Sequence, residues 1–80
     1  MNKTIYEPAY RTLVASLRMA RRRKGLRQED VASQMGVTRT WLSKVEQAEI
    51  RLDVLQLVYL ARIYGLQAHA LVMDLENELP

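Results

Sequence analysis

QEDVASQMGVTRTWLSKVE, residues 28–46, is the stretch whose reading decides the fold. Val31, Ala32 and Met35 recur at the spacing of one helix face, and Leu42 and Val45 do the same further on. Between the two runs stands Gly36, where a chain reversing within a few residues needs a positive φ without a Cβ penalty. Thr38 follows as a good N-cap, because its hydroxyl can accept from an unsatisfied backbone N–H of the next helix. Ala32 is small enough to let two helix axes cross closely. The stretch is therefore predicted to form two short helices, from about Gln28 to Met35 and from about Thr38 to Gln47. A tight turn joins them, which makes a helix-turn-helix motif.

The joint spacing resembles the motif of the Cro/C1-type (XRE-like) DNA-binding family, whose pattern runs roughly Q-x-x-[LV]-A-x-x-x-G-[VI]-[ST]-x-x-x-[IVL]-S-x-[IVY]-E. Gln28, Val31, Ala32, Gly36, Val37, Thr38, Leu42, Ser43, Val45 and Glu46 all fall on it, and the likeness extends from Leu17 to about Leu66. The resemblance implies an all-α, five-helix, lambda-repressor-like DNA-binding domain whose second motif helix enters the major groove of double-stranded DNA.

Working outward, Pro8 suits the first turn of a helix, with Glu7 near the positive end of its dipole. Tyr10, Leu13, Val14, Leu17 and Ala20 then recur at helical spacing, predicting a helix from about Pro8 to Arg23 with Gly25 as its C′ residue. Arg21 breaks the pattern by lying four residues after Leu17 on the apolar face, and Glu46 does the same after Leu42. A charge on such a face needs a partner or must reach water. An Arg21–Glu46 ion pair bridging the two helices satisfies both, and the family pairs an Arg and a Glu at these positions. In the run Arg21-Arg22-Arg23-Lys24, the last three read equally as a solvated helix end or as a phosphate-contacting edge.

Gln28, at the start of the motif, is placed to bond a DNA phosphate beside unsatisfied backbone N–H groups. Arg27 stands where the family often has Ser or Thr, so the cap weakens while a cation is added next to the same N-terminus. With Leu42 and Val45 inward, the second motif helix presents Arg39, Thr40, Ser43 and Lys44. Arg39 can give two parallel hydrogen bonds to guanine, and Lys44 can donate to the same atoms or to a phosphate. The family's base-reading positions map onto Arg39, Thr40 and Lys44. Trp41 either packs against the first motif helix or lies along a DNA strand. Thr38, Gln47, Arg51 and Arg27 join Gln28 as expected phosphate contacts. After Glu46 the family usually has Asn-Gly, but here Gln47-Ala48 follows. Ala48 in a left-handed conformation costs roughly 1–2 kcal/mol relative to Gly, so either that strain is tolerated or the helix ends differently.

Asp53 caps a fourth helix, whose stripe Leu57, Leu60, Ala61 and Tyr64 runs to Gly65. A fifth helix is predicted from about His69 to Leu79. Leu55, Val58, Tyr59, Val72 and Met73 add more apolar surface than one small core covers. The excess predicts a two-fold homodimer through Val58, Tyr59, Val72 and Met73.

Eighty residues allow one domain, residues 1–80, with the motif at about 28–47 and dimerisation by about 53–79. No 18-residue apolar run exists, and MNKTIYEPAY has no signal-peptide core, so a cytoplasmic, nucleoid-associated place is expected with no membrane partner. The chain has no cysteine and one histidine, His69, so neither a metal set nor a catalytic nucleophile–base arrangement is legible. No enzyme activity, cofactor or small-molecule effector is expected. Residues 1–50 carry ten Lys/Arg against five Asp/Glu, and residues 51–80 two against four, so the motif half should face the polyanion. The expected role is that of a dimeric transcriptional repressor on a pseudo-palindromic operator, similar to phage Cro-like repressors and to the controller proteins of restriction–modification systems. The alternative is an antitoxin-like protein-interaction module that also binds its own operator.

Overall fold

The computed structural model describes residues 8–79, and they form five α-helices with no strand among them. These are α1 (Pro8–Arg23), α2 (Gln28–Met35), α3 (Arg39–Glu46), α4 (Val54–Tyr64) and α5 (Ala68–Glu78). The expected boundaries hold to within a residue at each end. Thr38 and Asp53 stand just outside α3 and α4 as their N-caps. Glu7, expected to favour the start of α1, lies outside the described residues.

Each cap has a chemical cause. The Thr38 hydroxyl accepts from the Trp41 N–H at 3.0 Å. Asp53 accepts from the Gln56 N–H at 2.7 Å while the Gln56 side chain accepts from the Asp53 N–H at 2.9 Å, which closes a capping box. Arg27 has no acceptor to offer at the start of α2. Asp30 supplies half of the box instead, its carboxylate accepting from the Arg27 N–H at 3.3 Å. The cap that the sequence lacks at Arg27 is thus partly replaced from three residues on.

The C-termini of α1 to α4 share one solution. A residue of positive φ reverses the chain, and the next N–H reaches back five residues: Leu26 to Arg21, Val37 to Ala32, Glu49 to Lys44 and Leu66 to Ala61. This is the Schellman closure, which satisfies carbonyls that the helix end leaves bare. Gly25, Gly36 and Gly65 fill the reversing position after α1, α2 and α4, but after α3 it is Ala48, at φ +60°. The strain foreseen at Ala48 is present and tolerated.

The core gathers Leu13, Leu17 and Ala20 of α1, Val31 of α2, Leu42 of α3, Leu60, Ala61 and Tyr64 of α4 and Leu71 of α5. α1 is the central member, packing on α3, α4 and α5, while α2 packs on α3. α2 and α3 are only eight residues each and too short to persist alone, so their helicity rests on this packing. Their buried residues, Val31 and Ala32 on one and Leu42 and Val45 on the other, are those whose spacing predicted the motif.

Candidate nucleic-acid interface

Tight packing on its inner side fixes how α3 presents its outer side. Leu42 and Val45 are buried, Trp41 is half-buried against the core, and Arg39, Thr40 and Lys44 are exposed. Thr38, with its hydroxyl oxygen occupied by the cap, keeps its O–H proton for a further acceptor. Ser43 is half-buried and accepts from the Gln47 side-chain amide at 3.0 Å.

The other end of α3 is tied to α1 by the expected ion pair. Arg21 Nε donates to Glu46 Oε2 at 2.6 Å and Nη2 donates to Oε1 at 3.0 Å, with the two side chains 10% and 6% exposed. Arg21 Nη1 donates to the Leu26 carbonyl at 2.8 Å, so the guanidinium also braces the turn into α2. These bonds to Glu46, more than the charge itself, raise Arg21 above the ordinary arginine value. Burial, and then the Glu46 charge, raise the Tyr64 phenol well above its ordinary value of 10.0.

Gln28 joins this network. Its amide donates to Glu46 Oε1 at 2.9 Å, so the expected phosphate ligand is held in place by the carboxylate that anchors α3. One amide N–H of Gln28 remains available for an outside acceptor, as does one of Gln47. Arg27 turns onto its own helix, 3.2 Å from Asp30 and 3.8 Å from Glu29. Its guanidinium hydrogen bonds and then its backbone N–H hold the Asp30 carboxyl below the ordinary 3.8.

Sequence reasoning missed a staple. Tyr10 Oη donates to the Ile50 carbonyl at 2.9 Å and accepts from the Leu52 N–H at 3.0 Å, fixing the segment after α3 to α1. Its spacing marks Tyr10 only as part of an apolar stripe. The available signal was its hydroxyl, because a Tyr among Leu and Val must find a polar partner for its buried end. Exposed Arg51 sits beside the staple, at the rim of an apolar groove of about 310 Å³ that Leu13, Leu57, Leu75 and Leu79 also line.

Gln28, Ser43, Glu46 and Gln47 meet in one cleft with Arg18, Arg21 and Arg22. Thr38, Arg39 and Thr40 lie at the opposite end of α3, and Arg51 lies beyond its exit. His69 is exposed, and no group of His, Cys, Asp or Glu able to hold a metal occurs among the described residues.

A short helix braced from behind, preceded by a second across a tight turn and carrying cations outward, defines the helix-turn-helix class of DNA-binding domain. Residues 12–72 match the family model described as a helix-turn-helix domain. The solved structure of an XRE-family like protein from Pseudomonas syringae pv. tomato str. DC3000 is similar, with a TM-score of 0.82 and 36% identity. The likeness covers 98% of this chain and 95% of that one. No curated protein matches. The chain belongs to the XRE-like helix-turn-helix family of DNA-binding regulators.

Proposed function

We propose that this protein is a sequence-specific transcriptional repressor that binds a pseudo-palindromic operator as a homodimer, all 80 residues acting as one domain. The observation that carries the reading is the orientation of α3, with Leu42 and Val45 locked inward and Arg39, Thr40 and Lys44 turned out. In this reading Arg39, Thr40, Lys44 and Ser43 meet base edges, while Gln28, Thr38, Gln47, Arg51 and Arg27 meet phosphates and set register. Two-fold symmetry of the dimer demands half-sites about one helical turn, ~34 Å, apart. No effector, cofactor or catalytic step enters this mechanism, and occupancy follows protein concentration.

Selection of bound sequences from random duplexes, followed by affinity measurement across salt, tests the proposal. The expected product is an inverted repeat. Arg39→Ala should relax one base position at a cost of ~1–3 kcal/mol. Equal weakening on every sequence would make Arg39 a phosphate contact instead. If no sequence is enriched and the chain aggregates unless a neighbouring protein is co-expressed, the antitoxin-like reading takes its place.

A further inference from the structure

We infer that Arg18 and Arg22 of α1 form, with Gln28 and Gln47, a phosphate-binding cleft beside the C-terminal half of α3. This rests on the DNA-binding reading above and extends the interface to a helix outside the motif. The cleft, of about 140 Å³, is lined by Arg18, Arg21, Arg22, Gln28, Ser43, Glu46 and Gln47. Three guanidinium groups there face one carboxylate, and that carboxylate is already bonded by both Arg21 and Gln28. Arg18 and Arg22 are exposed, four residues apart on one face of α1, and neither makes an ion pair among the described residues. A like-charge pair at that spacing is mildly destabilising in the protein alone, and a bound anion relieves it.

The position suits a phosphate of the groove wall. α3 has eight residues, and at 1.5 Å per residue it is about 12 Å long, the width of the major groove. With Arg39, Thr40, Ser43 and Lys44 at base edges, the end of α3 emerges toward one strand, where Gln47 lines the cleft. The arginine run is thereby divided. Arg21 is buried in the ion pair and Arg22 faces the cleft, while the end of the Lys24 side chain lies over Gly65, at the C-terminus of α4. Arg23 is exposed outside the cleft.

The test measures binding to a short mixed-sequence duplex as a function of salt for the wild type, the double variant Arg18→Gln/Arg22→Gln, its charge-keeping counterpart Arg18→Lys/Arg22→Lys, and Arg23→Gln. Losing two phosphate contacts should make the log–log salt slope shallower by about 1.8, since each contributes about 0.9. The lysine pair should keep the wild-type slope and Arg23→Gln should not change it. No variant should melt below the wild type, since these arginines are exposed, and the glutamine pair should melt slightly above it through relief of the like-charge contact. A wild-type slope in the glutamine double variant, or a loss of about 0.9 in Arg23→Gln, the same per residue, overturns the inference and leaves the DNA-binding reading standing. A wild-type protein that binds no duplex overturns that reading and the cleft with it.

Discussion

The Glu46 carboxylate accepts from Arg21 twice and from Gln28 once, joining α1, α2 and α3 at a point sheltered from water. Removing one partner of such a pair leaves an uncompensated buried charge, at a cost of about 3–5 kcal/mol. The whole stability of a domain this size is only ~5–15 kcal/mol. Glu46→Ala should therefore lower the melting temperature drastically or leave the chain unfolded at 25 °C, and an unaltered melt would show the pair to be dispensable. Tyr64 makes a second residue-scale prediction. Its phenol is raised above 10.0 in the folded chain, so its contribution is fully present below pH 10 and is lost as pH rises through the folded value. Tyr64→Phe, followed by circular dichroism through alkaline pH, should unfold at a higher pH than the wild type. A coincident transition would place the alkaline weakness elsewhere, with Tyr10 the next residue to test, since burial raises its phenol as well.

At the scale of elements, four helices end by the same closure, and three of them place glycine where the chain reverses. Ala48 is the exception, so Ala48→Gly should stabilise the domain by about 1 kcal/mol, the left-handed penalty less the extra entropy glycine gives the unfolded chain. That is a rise of about 4–8 °C in melting temperature for a chain of this length. Gly36→Ala, where an added Cβ meets nothing within 4 Å, should cost a similar amount from backbone strain alone. The same helix ends show why so much of the fold was legible. Turn glycines, capping Thr38 and Asp53, and apolar spacing are local signals, and each agreed with its neighbours. The Arg21–Glu46 pair was legible too, because each charge stands on an apolar face, where it needs a partner or water, and the resemblance to the family points to the partner. What sequence could not disclose were bonds whose partners are set by tertiary packing. Tyr10 reaches a backbone segment 40 residues away, and Gln28 gives one donor to Glu46 rather than keeping both for DNA. Nothing in the sequence marks out Arg18, because only packing brings its face of α1 beside α3.

For the whole molecule, the outer faces of α4 and α5 carry the exposed apolar surface. Tyr59 is 52% exposed, Val72 42% and Met73 57%, with Val58 half-buried beside them. Large apolar side chains in such number on a small chain favour a second subunit over water. Sedimentation of the wild type should give twice the 9.3 kDa chain mass. Tyr59→Glu/Met73→Glu should shift the mass toward the monomer and cut affinity for an inverted repeat much more than for a single half-site. Equal losses on both duplexes would detach the pairing surface from operator binding.

Trp41, half-buried where α3 meets the core, is the chain's one tryptophan. Its emission is therefore a built-in optical gauge that needs no label. Unfolding strips away its apolar shelter and sends the spectrum to the red. If a duplex docks on α3 as proposed, it should change only the surroundings of the outward edge of Trp41, quenching or shifting the light while the core side stays dry. One untagged protein in one cuvette can thus report its folding and its grip on DNA as two separable signals.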